Sequence, residues 1–395
     1  MAALEVIPGG AVLVRDGRVA LAGPYPEVKA GANGARTVEV DGVLFPGFVD
    51  AHTHAVFGMA RLEDHERRAR GMDYKAIAAE GGGILSSVRD LRGRSVEELR
   101  DLTARRLRRL LAHGTTTVEV KSGYGLETEA ELRSLEVIGG LAGGPPSLVP
   151  TFLGAHEIPL EYRPRRDDYV RLVVEEMLPA VAAQGIARFC DVFCEPGVFT
   201  PEETRRILEA ARGHGLGLKI HADELEGSGG AELAAALGAV SADHLAHVSP
   251  AGAQALAASG TVAVLLPGTM LFLGKRDRAP ARMIIDQGGA VALSTDFNPG
   301  SSPGVSLPLM ATLGVSQLGM VPAEAVMAIT VNGAAAVGEA TTRGQIAPGF
   351  RADLALAAIR DWRELVYWYG QNLVTEVWVA GTACHPGPGT INFIV

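Results

Sequence analysis

The sequence predicts an α/β chain: a (β/α)8 barrel of the TIM type with a small β-sandwich-like domain built from both chain ends. Three observations predict it. Eight short apolar runs, rich in β-branched residues, recur through the middle of the chain; segments with helix-start and helix-stop residues separate them; and most runs end on an ionisable side chain. Strands covered by helices on both sides read as continuous apolar runs, because neither face meets water.

The runs are 43–51, 115–120, 147–153, 187–194, 216–221, 240–245, 261–266 and 290–295. Between the first two, Ser95 and Glu98 have capping-box spacing and lead into an amphipathic stretch that stops at Gly114. After the fourth, Thr200, Pro201 and Glu203 combine an N-cap, a proline at the first helical position and an acidic third position. The ends are β-rich: 11–22 reads as two strands around Asp16-Gly17, and 352–356 and 375–379 as two more. The division expected is a catalytic barrel over 47–345 and a small β domain from 1–46 and 346–395. A doubly wound open sheet is the alternative, but no glycine-rich fingerprint follows the first run.

Composition narrows the function. At 395 residues and 47% apolar, the chain can bury a large core, and its net charge of −9 argues against nucleic acid or an anionic membrane as partner. Three cysteines (Cys190, Cys194 and Cys384) have no metal-finger spacing and suit a reducing compartment. No apolar run has membrane-spanning length, and no basic segment with an apolar core opens the chain, so a cytoplasmic protein is expected.

In a barrel of this kind the chemistry sits at the C-terminal ends of the strands. There the sequence places His52 and His54, Lys121, His156, Glu195, His221, His244 and Asp296. Residues two apart on a strand share a face, so His52 and His54 can meet one ion, and imidazole nitrogen suits zinc or iron. Alone, a His-x-His pair is as readily two ordinary polar residues. With His221, His244 and Asp296 each at a strand end, the metal reading outweighs the plain one. His221 and Asp296 complete a shell with one position left for water, whose pKa the metal lowers. Asp296 doubles as proton acceptor, His244 polarises the substrate carbonyl, and Glu224 is a candidate acid/base, although alone it reads as a solvated loop carboxylate. Some barrel hydrolases hold two ions through a carboxylated lysine on the fourth strand. The fourth run here has no lysine, so one metal is expected and Lys121 is structural. Plain readings serve elsewhere. Arg105, Arg106, Arg108 and Arg109 form a solvated helix face, Gly81–Gly83 a loop over the site, and Cys190 and Cys194 core packing. His113 is a helix-end histidine facing the dipole.

Residues 45–54 (FPGFVDAHTH) resemble the opening of the amidohydrolase superfamily. The stretches 120–125 (VKSGYG), 152–156 (FLGAH), 191–195 (DVFCE), 220–224 (IHADE), 241–245 (SADHL) and 294–302 (STDFNPGSS) are similar, in order, to the imidazolonepropionase family within it. The resemblance implies hydrolysis of a ring C–N bond in a cyclic amide with a carboxylate tail, in histidine degradation. It implies His52, His54, His221 and Asp296 as ligands of one zinc or iron ion per subunit, and a homodimer. It also implies substrate contacts from Arg61, Tyr124, His156, Glu224, Asn298, Gly300 and Ser301, with Arg61 on the carboxylate. The chain departs from the family after His54, where Met59-Ala60-Arg61 and then Asp64-His65 alter the packing around the arginine and bear on substrate preference. The competing functions are another cyclic amidase or ring deaminase of the superfamily, and a binding protein on the same scaffold.

Overall fold

The computed structural model describes residues 4–72, 76, 77 and 80–385. The barrel strands are β4 (Phe48–Asp50), β5 (Thr115–Lys121), β6 (Ser147–Ala155), β7 (Phe189–Cys194), β8 (Gly217–Ala222), β9 (Ser241–His244), β10 (Val262–Leu265) and β11 (Val291–Leu293). They lie in chain order, each parallel to the next. The last strand meets the first just past their ends. Thr53 bridges Phe297, the Asp296 N–H donates to the His52 carbonyl (3.1 Å), and the His54 N–H donates to the Phe297 carbonyl (2.9 Å). Each of the eight apolar runs holds one barrel strand.

The first run holds a second strand as well. β3 (Val43–Pro46) belongs to another sheet, and the chain crosses to β4 at Gly47. A Cβ at Gly47 would lie 2.2 Å from Thr116 Oγ1, so only glycine lets the crossover pass this close to β5. β4 is fully buried and no residue of β3 is exposed, so apolar character runs through the join. The local signal was the Pro46-Gly47 pair itself.

The chain ends build the rest. β1 (Gly10–Arg15) and β2 (Arg18–Pro24) form a hairpin whose turn residues Asp16 and Gly17 have φ of 49° and 72°. β12 (Leu354–Ala357), β13 (Val374–Val379) and β14 (Thr382–His385) join β3 in an antiparallel sheet of order β14-β13-β12-β3. The hairpin is tied on by Val19, whose N–H donates to Phe350 and whose carbonyl accepts from Gly349, both at 2.8 Å. Arg343 spans the join to the barrel, reaching Asp353 (2.6 Å), Thr117 (3.2 Å) on β5 and Ser147 (3.3 Å) on β6.

The capping boxes form at Ser95 and Thr200, opening the helices Val96–Ala112 and Pro201–Gly213. The first buries Leu99, Thr103, Leu107, Leu110 and Leu111, a stripe of helical period, and leaves Arg105, Arg108 and Arg109 exposed. Arg106 departs from the solvated-face reading. Its guanidinium lies 3.3 Å from the Phe57 ring centre and donates to the Ala55 (3.1 Å), Phe57 (2.5 Å) and Gly58 (2.7 Å) carbonyls, fixing the segment that follows the His52/His54 pair. His113 also differs: burial, then His385, push its pKa down, so it meets the helix end as a neutral ring. Among the described residues, no helix is long and apolar enough to cross a membrane.

Candidate metal centre and substrate mouth

His52, His54, His221 and Asp296 come together over the end of the barrel. The Nε2 atoms of His52 and His54 are 3.2 Å apart, and Asp296 Oδ1 is 3.6 Å and 3.4 Å from them. Donor atoms of His52, His54 and His221 lie within 4.8 Å of one another, as do those of His52, His244 and Asp296, and all five residues are buried. The donors fit a metal ion. His221 Nε2 is buried without a hydrogen-bond partner, and Thr269 holds Asp296 Oδ2 (2.6 Å), which leaves Oδ1 facing the rings. Burial drives the pKa of His52, His54 and His244 well down, so the imidazoles are neutral and keep lone pairs to offer.

A layer of buried charge beneath aims those lone pairs. Asp243 Oδ2 lies 2.6 Å from His52 Nδ1, and Asp191 Oδ1 lies 3.0 Å from His221 Nδ1. A carboxylate against one ring nitrogen places the proton there and turns the other nitrogen outward, the usual support for a ligating histidine. Lys121 donates to Glu119 and Asp191, both at 2.7 Å, with no exposure on any of the three. Burial raises the Asp191 pKa, but His221 and Lys121 outweigh it and hold the group ionised. Burial likewise lowers that of Lys121, and Asp191 and Glu119 more than restore it. Lys121 is thus a charged cross-brace. Sequence reasoning passed over Asp191, Asp243 and Thr269 as functional residues. For the two aspartates there was a signal: an aspartate inside a strand buried on both faces must have a partner to be tolerated.

The backbone is bent where the chemistry gathers. His244, Leu245, Asp223 and Asp296 have φ of 78°, 61°, 51° and 51°. Side chains that leave their strands in this left-handed region cost about 1–2 kcal/mol each. The bends turn His244 and Asp296 across the barrel mouth. Burial pushes Asp296 up to about 6, opposed by the Thr269 hydrogen bond. Glu224 Oε2 lies 3.4 Å from His244 Nδ1, and burial, then Asp296, raise its pKa well above the usual carboxyl range. A cavity of about 50 Å³ lined by Glu224, Met270, Leu273 and Lys275 opens beside it.

The other predicted contacts line the same mouth. His156 stacks on His54 (5.0 Å, 16°), stands 5.4 Å from Tyr124, and donates from Nδ1 to the Gly123 carbonyl (2.8 Å). Arg61 sits at the start of helix Leu62–Ala69, its N–H bonded to Pro299 (3.0 Å) and its Nε buried without a hydrogen-bond partner. Its guanidinium lies flat on Gly300, where a Cβ would come within 1.9 Å. The Asn298 amide is spent within its own loop. It accepts from the Gly300 and Ser301 N–H groups and donates to the Asp296 carbonyl and Ser301 Oγ, at 2.7–2.8 Å. His65 stacks on Phe272 (4.9 Å, 17°), which accounts for a polar ring at that position. The glycine run is anchored: the Gly83 N–H donates to Asp64 (2.8 Å).

Known proteins resemble this chain in sequence and in fold. Residues 43–384 match the model of the amidohydrolase family. An imidazolonepropionase of Symbiobacterium thermophilum is 49% identical over 94% of this chain and 89% of its own. One of Solibacter usitatus is 47% identical over 96% and 92%. Among solved structures, a zinc-bound adenosine deaminase from Xanthomonas campestris superposes with a TM-score of 0.69 at 19% identity, over 95% of this chain and 88% of its own. The ochratoxinase of A. niger gives 0.71 at 19% identity, over 96% and 92%. At that distance the two structures speak for the fold alone. The chain therefore belongs to the amidohydrolase family and, within it, to the group of relatives that carry the imidazolonepropionase name.

Proposed function

We propose that this chain hydrolyses 4-imidazolone-5-propanoate, adding one water across a ring C–N bond to give N-formimidoyl-L-glutamate in histidine degradation. The observation that carries the reading is the guanidinium of Arg61, laid on Gly300 at the mouth of a His/Asp donor cluster. A hydrolytic centre beside a cation suits a small ring with an anionic tail, and relatives at 46–49% identity bear the matching name. His52, His54, His221 and Asp296 are assigned as ligands of one zinc or iron ion per subunit. The bound ion supplies Lewis acidity and a water acidic enough to act near neutral pH. His244, whose Nδ1 lies 3.4 Å from Glu224, is assigned to the substrate side, because the other four donors already leave one position for water.

Each residue then has a task. Arg61 binds the propionate through charge-assisted hydrogen bonds, Tyr124 and His156 flank the ring, and the 298–301 loop closes the far side. Neutral His244 polarises the carbonyl under attack. Asp296 accepts the water's proton. Glu224, kept protonated by burial, delivers a proton to the departing ring nitrogen. A homodimer in the cytoplasm belongs to the same reading, and the mass of the particle in solution tests the dimer.

The deciding experiment follows the loss of imidazolonepropionate absorbance with purified protein, beside elemental analysis of the same sample. Turnover with a stoichiometric metal supports the assignment. Ammonia release from a purine or related ring, without action on imidazolonepropionate, assigns a deaminase. Stoichiometric metal with no hydrolysis of any cyclic amide assigns a binding protein.

A further inference from the structure

Two buried glutamates, neither in the donor cluster, hold the loops that reach the mouth. Glu131 is fully buried on helix Thr128–Leu141. Its Oε2 accepts from the Gly123 N–H (2.9 Å), and its Oε1 from the N–H groups of Gly125 and Leu126 (2.8 Å each). Arg92 takes the same loop from its carbonyl side, donating to Gly125 (2.7 Å) and Leu126 (3.1 Å). The loop needs holding, since Gly123 and Leu126 have φ of 103° and 53°, and a leucine resists that conformation. What it carries is Tyr124 and the Gly123 carbonyl that orients His156.

Glu195, past the end of β7, repeats the arrangement. Its two oxygens accept from the N–H groups of Glu224 (3.1 Å), Leu225 (3.0 Å) and Glu226 (2.7 Å). Neither glutamate forms an ion pair among the described residues. A buried carboxylate held by backbone amides, joined at Glu131 by the Ser122 hydroxyl, is costly, and what it secures here is loop shape.

We propose that Glu131 and Glu195 are positioning residues for catalysis: Glu131 sets Tyr124 and His156, and Glu195 sets Glu224, each by gripping three consecutive or near-consecutive backbone N–H groups. The grip is a property of the loops, while the kinetic consequence rests on the functional reading above.

The test uses full-length, metal-loaded Glu131→Gln and Glu195→Gln. Glutamine keeps the shape but turns an NH2 toward amide donors. In Glu131→Gln, hydrogen exchange of the 123–126 amides should quicken about tenfold, the worth of one charged hydrogen bond. KM should rise about tenfold with kcat within about threefold and metal content unchanged. The KM rise should shrink when Glu131→Gln is made in a Tyr124→Phe, His156→Ala background. Glu195→Gln should quicken exchange at 224–226 and lower kcat about tenfold, since Glu224 moves the proton. If Glu131→Gln does not fold, the milder Arg92→Met probes the same loop and should raise KM in the same sense. Unchanged exchange in folded variants, a KM rise fully additive with the double background, or unchanged kinetics would each overturn the proposal. If the wild type does not act on imidazolonepropionate, the functional reading falls, and loop exchange alone then decides the positioning role.

Discussion

His244 leaves its strand with φ at 78°, and that bend separates two kinds of histidine in one cluster. His52 and His221 each have Nδ1 against a buried aspartate, whereas His244 turns Nδ1 to Glu224. Substitution should sort them. His244→Ala should retain metal and lose about 10³-fold in kcat, as when a preorganised electrostatic group is removed. His54→Ala should lose metal, as elemental analysis will read. A His244→Ala protein that turns over at near wild-type rate would remove the carbonyl-polarising role. Gly300 makes a finer test. A methyl there occupies the space of the Arg61 guanidinium, so Gly300→Ala should raise KM about tenfold while kcat stays within a few fold, the signature of lost uniform binding. The members of the donor cluster were readable because each is an ionisable residue at the end of an apolar run. Asn298 was readable only as a position: its amide is consumed in shaping the loop, and no spacing rule reveals that.

Among the elements, the segment between β4 and helix Leu62–Ala69 has little regular structure, yet it places Arg61. Arg106 holds its carbonyls, and Asp90 accepts from the Met59 N–H (2.8 Å) while Arg94 braces Asp90 through three contacts of 2.8–3.2 Å. Burial raises the Asp90 pKa, but the hydrogen bonds from Arg94 and Met59 outweigh it and leave it below 3.8. A depressed carboxyl stabilises the fold above its unfolded pKa, and that contribution is lost as pH falls through the folded value. Asp90→Asn should therefore cost about 1 kcal/mol at pH 7. In denaturant titrations the gap from wild type should narrow only below about pH 3.8. A gap that is constant across pH would mean that charge is not what holds the turn. Element types were legible because period and capping chemistry are local. The split of the first run into β3 and β4 was not, since neither strand has an exposed residue whose polarity would have marked the break.

Across the whole molecule, Arg343 is one of the polar ties between the terminal sheet and the barrel. It is mostly buried, with Asp353 at 2.6 Å and the feet of β5 and β6 in reach. Arg343→Met leaves Asp353 with Arg351 (3.0 Å) and the Ala380 N–H (2.8 Å) but removes its charged hydrogen bond to the barrel side, so it should destabilise the fold by about 2 kcal/mol, measured by denaturant unfolding. A loss under about 0.5 kcal/mol would show that this tie does little to hold the two parts together. The barrel itself could be read from strand count and order, and the pairing of the two chain ends was legible as β character only; which strands joined was not, because register across the length of a chain leaves no local mark. One feature of that closure reaches into how the protein is made. The seam is sealed by the backbones of His52, His54 and Asp296, and the Ala51 N–H finds Ser294 Oγ across 243 residues. While the ribosome is still delivering the last strand, His52 and His54 lack Asp296, the carboxylate that meets them across the seam. The donor cluster is therefore a late product of synthesis: its first members are made near the start of the barrel and its carboxylate only at the end, so no shorter nascent chain can gather them all.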